Sequence, residues 1–372
     1  MTYKGLKIYG SIIQRLIDKK DLTKEETYEM FRETLLNRQP DLQQGAFLAA
    51  LVSKGETVDE LVGAWQAIDE IDTVHVQYPF GEEVFENSGT GMDELKTFNV
   101  SSASAIVAAS CGITMARHGA RALTSKHGTV DIMESVGIDV ECEVEVVANS
   151  IKEAGIGLFN GMSPKIHPSA LFRILSQIRF GTTLNIAASL ANPCRPKNGL
   201  RGVYAERIVK KVAEVMAQIG YKRAMVVYGK GGNNERGMDE VSLCGKTIIV
   251  EINKGGYTSY ELHPIDVGLR PCDYQSIAAL ENPLEERKRF LRVIAGKTDS
   301  PCLDFTALNA GTILYVAGIV SSIRKGIDMA YEAMHSGKAL ERLFSWVSYQ
   351  NQSPSRGLAI LEAALSEAGV SV

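Results

Sequence analysis

The chain has 372 residues, 45% of them hydrophobic and 23% charged, which is ample for a large core shared by two structural units. A formal net charge of −4 argues against broad nucleic-acid binding and requires any positive field for an anionic substrate to be local. No run of about 18 apolar residues occurs, so no membrane span is expected. The opening Met1-Thr-Tyr-Lys-Gly-Leu-Lys-Ile-Tyr9 has no apolar signal-peptide core, which makes the cytoplasm the expected compartment.

Residues 1–75 read as helices only. Thr23-Lys-Glu-Glu26 and Thr57-Val-Asp-Glu60 are capping boxes, in which the threonine accepts from a free N–H and the glutamate accepts from another in return. Phe47, Leu48, Leu51 and Val52 fall at helical spacing between them, and Leu61, Val62, Trp65 and Ile68 do so after the second. From Val84 onward short apolar runs alternate with helical patterns. An apolar helical run spans Ala103 to Ala116, strands are predicted at Ala224–Tyr228 and Thr247–Val250, and a helix lies around Glu206–Ile219. This alternation predicts an α/β domain with a largely covered sheet. Asn351–Gly357 reads as a linker and Leu358–Ala368 as one more helix. The six cysteines, Cys111, Cys142, Cys194, Cys244, Cys272 and Cys302, are dispersed with no C-x-x-C pair, so buried thiols are expected rather than a zinc site or a disulfide scaffold.

The chemistry concentrates in two loops that flank the run at 103–116. The first is Ser88-Gly-Thr-Gly-Met-Asp-Glu-Leu-Lys-Thr-Phe-Asn-Val-Ser-Ser102. The second is Arg117-His-Gly-Ala-Arg121 with Thr124-Ser-Lys-His-Gly-Thr129. Glycines let backbone approach an anion closely, and the N–H groups at a helix start point at it. The second loop carries Arg117, His118, Arg121, Lys126 and His127 with no carboxylate before Asp131, while the first carries Asp93 and Glu94. A basic loop facing an acidic, hydroxylated one suits a polyphosphate that arrives with a divalent cation.

At these residues the chain resembles the anthranilate phosphoribosyltransferases. Their motifs read roughly Gly-Thr-Gly-Gly-Asp, Thr-Phe-Asn-Ile-Ser-Thr, Lys-His-Gly-Asn-Arg and Ser-Ser-Lys-Ser-Gly, at the same spacing. Gly155–Phe159, His167-Pro168, Leu184-Asn185, Leu190–Pro193, Met238–Ser242, Leu308–Ala310 and Val316–Gly318 extend the likeness over nearly the whole chain. The resemblance implies a small all-helical domain, 1–75 with a mid-chain helical insertion at 165–190, and a larger α/β domain, 76–164 and 191–350, with a central mixed sheet flanked by helices. Residues 351–372 follow as linker and extra helix. It also implies transfer of phosphoribose from phosphoribosyl pyrophosphate (PRPP) to an aromatic amine or nucleobase-like acceptor, with pyrophosphate released. Gly89, Gly91, Asp93, Thr97, Asn99, Ser101, Ser102, Arg117, Ser125, Lys126 and Thr129 are the implied PRPP ligands, with Arg117, His118 and Lys126 catalytic. Ser101, Asp239 and Glu240 would hold Mg2+, as two ions. A homodimer through the helical domain is implied as well.

The acceptor end departs from the pattern. Ala120 stands where the family has asparagine, Met92 where it has glycine, Ile166 where it has histidine before His167, and Ala188-Ser189 where it has Gly-Pro. The family's acceptor-binding arginine maps to Leu175 counting back from Asn185, or to Gln177 counting forward from Pro168, with Arg173 and Arg179 as shifted replacements. The expected acceptor pocket is therefore His118, Ala120, His167, Arg173, Gln177 and Arg179, and anthranilate is expected to be a poor acceptor. The loop Gly229–Gly237 is also longer than the family's. Two other readings are a pyrimidine-nucleoside phosphorylase-like enzyme, suggested by His127–Ser135, and a catalytically silent paralogue that binds nucleic acid.

Overall fold

The computed structural model describes residues 3–77, 84–121, 128–178, 180–232, 236–253 and 255–371. Four helices open the chain: α1 (Tyr3–Ile17), α2 (Lys24–Leu35), α3 (Asp41–Lys54) and α4 (Val58–Ile71). Both capping boxes form, with Thr23 Oγ1 accepting from the Glu26 amide at 3.1 Å and Thr57 Oγ1 from the Glu60 amide at 3.2 Å. Glu60 is fully buried, and it also accepts from the Leu22 amide and pairs with Lys54, which satisfies a charge that would otherwise be costly there.

Phe31, Phe47, Leu48, Leu51 and Ile68 share one core with Leu171, Ile174 and Leu184 from α8 (Leu171–Gln177) and α9 (Thr183–Ala187). The mid-chain segment thus packs on the N-terminal helices. The other face of α4, Leu61 and Val62, packs with Val212 and Met216 of α10 (Val209–Gln218), joining the helical layer to the rest.

The strands are β1 (Phe85–Gly89), β2 (Met115–Gly119), β3 (Ile156–Asn160), β4 (Asn198–Gly202), β5 (Arg223–Lys230), β6 (Gly237–Met238), β7 (Thr247–Asn253) and β8 (Gly256–Leu262). They form one mixed sheet in the order β3-β2-β1-β4-β5-β7-β8, with β6 beside β5. The β3-β2-β1-β4-β5 ladder is parallel, and β6, β7 and β8 pair antiparallel. From β1 the chain builds outward through β2 and β3, then returns to place β4 and β5 on the other side. The direction reverses between β1 and β4, and in open α/β sheets such a crevice at the carboxyl ends of the strands is where ligands bind.

The remaining helices are α5 (Val100–Ser110), α6 (Thr129–Ser135), α7 (Val144–Ala154), α11 (Pro283–Ile294), α12 (Pro301–Ala317), α13 (Ile323–His335), α14 (Lys338–Tyr349) and α15 (Pro354–Ala368). The apolar run at 103–116 is not one helix. Its helix ends at Ser110, Gly112 turns at φ 96°, and Met115-Ala116 begin β2. A buried run without polar punctuation reads the same as helix or strand, and here the left-handed glycine separates them.

The last helix buries Leu361 and Leu365 in the α/β core. Just before it, buried Gln350 closes edge strand β3, accepting from the Leu158 amide and donating to the Leu158 carbonyl, both at 2.9 Å. All six cysteines are free thiols, and Cys244 and Cys272 lie 3.8 Å apart. No described helix is long and apolar enough to cross a membrane.

Candidate functional site

A cleft of about 350 Å³ lies over the carboxyl ends of β1 and β2, between the sheet and the α8–α9 segment. Its floor depends on a gap between two strands. Gly89 of β1 and Gly202 of β4 are register partners. A Cβ on Gly89 would strike the Asp239 carboxylate, and one on Gly202 would strike the Asp239 backbone. Only glycines on both strands let the Asp239-Glu240 segment settle between them.

That segment is held from three sides. β6 pairs it to the end of β5, with Gly229 opposite Met238. Asn309 of α12 brackets the next residue, its Oδ1 accepting from the Val241 amide and its Nδ2 donating to the Val241 carbonyl, each at 3.0 Å. Asp239 Oδ2 accepts from the Gly91 amide at 2.8 Å, and Glu240 Oε1 accepts from the Ser101 hydroxyl at 2.8 Å. Adjacent carboxylates thus reach two different walls of the cleft.

Asp93 adds a third buried acid, with Lys96 Nζ 2.7 Å from its Oδ1. Burial, then the charge of Asp93, pushes Asp239 up to about 7. Burial and Asp239 raise Glu240 well above the usual carboxylate range, and burial raises Asp93 despite Lys96. Hard oxygen donors crowded until they resist ionisation are what a small divalent cation relieves. Among the described residues no cluster of three or more His, Cys, Asp or Glu forms a metal cage.

Arg117 of β2 is buried at the cleft. Its Nε donates to Asn87 Oδ1 at 3.1 Å and its Nη1 to Ser102 Oγ at 2.7 Å, and burial lowers it to about 10. Ser102 is itself fully buried and does not line the cleft, so it supports Arg117 in place of the direct contact with PRPP that the resemblance implies. Gly89, Gly91, Asp93, Thr97, Asn99, Ser101 and Thr129 do line the cleft, and Asn99 Oδ1 is buried without a hydrogen-bond partner. Arg121 lies at the rim with its charge committed to Glu134 at 2.7 Å and Asp131 at 3.3 Å. Ser125 and Lys126 lie outside the described residues, as does Arg179.

His118 lines the cleft and His167 stands behind it, Nε2 to Nε2 at 3.0 Å. His167 Nδ1 is 2.6 Å from the Asp72 carbonyl, which can only accept, so Nδ1 carries the proton. Burial lowers His167, leaving its Nε2 bare to accept from His118 Nε2–H. The remaining nitrogen, His118 Nδ1, is buried, and the Ser189 backbone lies against the ring. Burial first, then the His167 ring, pushes His118 down to about 3, against a smaller opposing pull from Ser189.

The carboxylate of the same Asp72 caps α8, accepting from the Ala170 amide at 3.0 Å and the Leu171 amide at 2.9 Å. Helix α8 thereby presents Leu171 and Leu175 to the cleft, followed by Ile178, Phe180 and Leu184. Two residues along a helix is about 200° of rotation, so Arg173 faces away from Leu175. Its guanidinium donates to Gln44 Oε1 at 3.0 Å and to the Thr34 carbonyl at 2.8 Å, in the helical layer. Arg173 and the exposed Gln177 therefore do not line the cleft, contrary to the expectation for an acceptor pocket, while Ala120 does. His167 is absent from the lining and acts on the cleft through His118. Asn309 falls in the Leu308–Ala310 stretch that extends the family likeness, without a role attached to it, while Gly202 carries no sequence signal for this site, and a glycine closing an ordinary strand bears no local mark of what will sit above it.

Residues 10–70 match the helical bundle domain of a glycosyl transferase family, and residues 81–340 match its a/b domain. The anthranilate phosphoribosyltransferase of Polynucleobacter necessarius is 37% identical over 90% of this chain and 96% of its own length. That of Methanothermobacter thermautotrophicus is 31% identical over 92% and 98%. Among solved structures, the anthranilate phosphoribosyltransferase of Thermus thermophilus superimposes with a TM-score of 0.81 at 29% identity, covering 91% of this chain and 98% of that one. The Saccharomyces cerevisiae enzyme, solved in complex with PRPP and Mg, has the same fold at a TM-score of 0.81 and 22% identity, over 94% and 98%. Agreement over this much sequence makes the chain a member of the anthranilate phosphoribosyltransferase family of glycosyl transferases.

Proposed function

We propose that the protein transfers the phosphoribosyl group of PRPP to an aromatic amine or nucleobase-like acceptor and releases pyrophosphate. The observation that carries this reading is the Asp239-Glu240 pair, buried in the glycine gap at the sheet's reversal point and facing a cleft lined by Gly89, Gly91, Asp93, Thr97, Asn99 and Ser101. Acids that resist ionisation alone are poised for a substrate that brings its own cations. Asp239, Glu240 and Ser101 would hold Mg2+, as two ions in this reading, and the metal would shield the charge that builds on pyrophosphate.

In the transfer the acceptor nitrogen's lone pair forms the bond to C1 of the ribose, and the C1–O bond breaks with its electrons leaving on pyrophosphate. The work of the protein is positioning and charge stabilisation. Arg117, fixed by Asn87 and Ser102, supplies a cation that needs no rearrangement. A histidine pushed down to about 3 does not hold a proton at neutral pH, so His118 borders the acceptor as a neutral ring of the cleft wall, and the acceptor's proton leaves to water. The homodimer through the helical domain is part of this reading, and exposed Ile8, Ile17 and Leu42 on its helices leave apolar surface that a second copy could cover. The intact set of acids and the relatives' activity favour phosphoribosyl transfer over the phosphorylase-like and nucleic-acid-binding readings.

The test is a calorimetric titration with PRPP, with and without magnesium, beside an assay for pyrophosphate release. Asp239→Asn combined with Glu240→Gln is expected to leave the circular dichroism spectrum intact and to abolish magnesium-dependent PRPP binding. Unchanged affinity would overturn the assignment.

A further inference from the structure

The helical wall of the cleft meets the sheet at one short turn. Leu184, Asn185, Ala188 and Ser189 line the cleft, and a single turn of 3-10 helix, Ala188–Leu190, leads the chain from there back toward β4. Successive carbonyls of that turn belong to different layers. Arg201 Nη2, on β4, donates to the Ser189 carbonyl at 3.2 Å, and Trp65 Nε1, on α4, donates to the Leu190 carbonyl at 3.0 Å. The Ser189 backbone also lies against the His118 ring.

Arg201 is itself held from below. Its Nη2 pairs with Glu86 of β1, and both side chains are buried. Glu86 Oε1 accepts from the Ser88 hydroxyl at 3.3 Å, and Oε2 accepts from Asn192 Nδ2 at 2.8 Å. Arg201 thus grips the chain within the turn, and Glu86 grips it just beyond. Arg201 and Ser88 are register partners, one step before the Gly202–Gly89 pair that admits Asp239. The two strands that seat the acids therefore also seat the turn.

Stability alone does not favour this arrangement. Two charges have left water, and Arg201 Nε and Nη1 are buried without a hydrogen-bond partner among the described residues. A buried ion pair commonly gives no more stability than apolar side chains of the same volume, but its contacts are directional. Neither Glu86 nor Arg201 lines the cleft.

We propose that the Glu86–Arg201 pair is a positioning device for phosphoribosyl transfer. Through Ser189 and Asn192 it fixes the helical wall over the sheet, and so sets the distance between an acceptor at that wall and C1 of a ribose bound over β1. This rests on the phosphoribosyl-transfer reading and adds to it two residues that touch neither substrate. The bond to C1 forms only when the acceptor nitrogen is in line and close, and a misplacement of about 1 Å costs up to about a hundredfold in rate.

The experiment compares wild type with Arg201→Met combined with Glu86→Gln, which removes both buried charges together, and with Asn192→Ala, which leaves the ion pair intact and frees the chain beyond the turn. Urea melts, calorimetric PRPP binding with magnesium, kcat and KM for anthranilate at saturating PRPP, and amide hydrogen exchange across 184–192 are measured on each. In both variants kcat/KM for anthranilate should fall at least about tenfold, and exchange across 184–192 should quicken at least about tenfold. Magnesium-dependent PRPP affinity should stay within about threefold of wild type. A purely structural pair would shift the melt and leave this split between acceptor turnover and PRPP binding absent.

Unchanged exchange and turnover in a cooperatively folded double variant overturn the proposal. Loss of PRPP binding in step with turnover overturns it too, because the pair would then act on the phosphate floor. If the double variant does not fold, Asn192→Ala decides, and wild-type exchange and kinetics there overturn the proposal. If wild type binds PRPP but leaves anthranilate unused, the exchange measurement decides alone. Absence of magnesium-dependent PRPP binding in wild type overturns the phosphoribosyl-transfer reading itself, and the positioning role falls with it.

Discussion

At the carboxylate end of the cleft Asp239 is held by the Gly91 amide, Glu240 by Ser101, and Arg117 by Asn87 and Ser102, with Asn99 Oδ1 left open. At the opposite end the wall of Leu171, Leu175, Ile178, Phe180 and Leu184 is apolar and its geometry rests on packing. The first arrangement is directional and tolerates little displacement. The second depends on volume and shape, which hydrophobic surfaces adjust at small cost when size is conserved. The difference teaches how freely each end can change: the polar end is fixed by directional contacts, while the apolar end can be reshaped by swaps that conserve volume.

The largest break in this contrast should come from the glycine gap. Gly202→Ala sets a Cβ against the Asp239 backbone, which cannot rotate away, so strand and loop must separate. It is expected to lower stability by about 1–3 kcal/mol, as overpacking does, and to abolish magnesium-dependent PRPP binding. Gly89→Ala meets only the Asp239 carboxylate, which can turn aside. That variant should keep near-normal stability in a urea melt and lose binding, and equal behaviour of the two would refute the distinction.

A smaller effect is readable in pH. Asp239 stands at about 7 in the folded protein against an ordinary 3.8, so the folded state takes up this proton more readily than the unfolded. Its contribution to stability is therefore full below 3.8 and lost as pH rises through 7, and Glu240, shifted the same way, adds to it. Asp239→Asn does not titrate. Without ligand, wild type should lose stability relative to Asp239→Asn as pH climbs from 3.8 to 7, and thermal unfolding of both proteins across that window checks it. A constant difference would mean the acids are already relieved in the free protein.

The smallest effect belongs to Arg173. Because its guanidinium serves Gln44 and Thr34 in the helical layer, Arg173→Ala should cost about 1 kcal/mol of stability and leave the ranking of acceptors unchanged. A selective loss of turnover with carboxylated rings would place it functionally in the cleft after all.

Local features were legible in the chain itself. The two capping boxes are four-residue devices, and Thr23 with Glu26 and Thr57 with Glu60 pair as their spacing dictates. Strands at Arg223–Lys230 and Thr247–Asn253 follow from apolar runs bounded by turn residues, although the run at 103–116 hid a helix, a glycine turn and a strand edge. The loop around Gly89–Ser102 could be singled out because glycines, hydroxyls and acids sit together in sequence, whereas Asp239-Glu240 stood out only through the family resemblance. Arg173 and Leu175 could not be sorted by counting, since a shift of two residues turns a helical side chain to the opposite face.

By itself the sequence determined the order of helical and α/β segments, the phosphate-type loops and the departure from family residues at the acceptor end, because each is written in neighbours a few positions apart. Only the tertiary structure decided that Gly202 makes room for Asp239, that Asn309 brackets Val241, that Ser102 serves Arg117 from within, and that Asp72 at once caps α8 and, through His167, holds the His118 ring. Those partners are brought together by strand order and helix packing across long stretches of chain, and no local spacing encodes which distant backbone will fill a given gap.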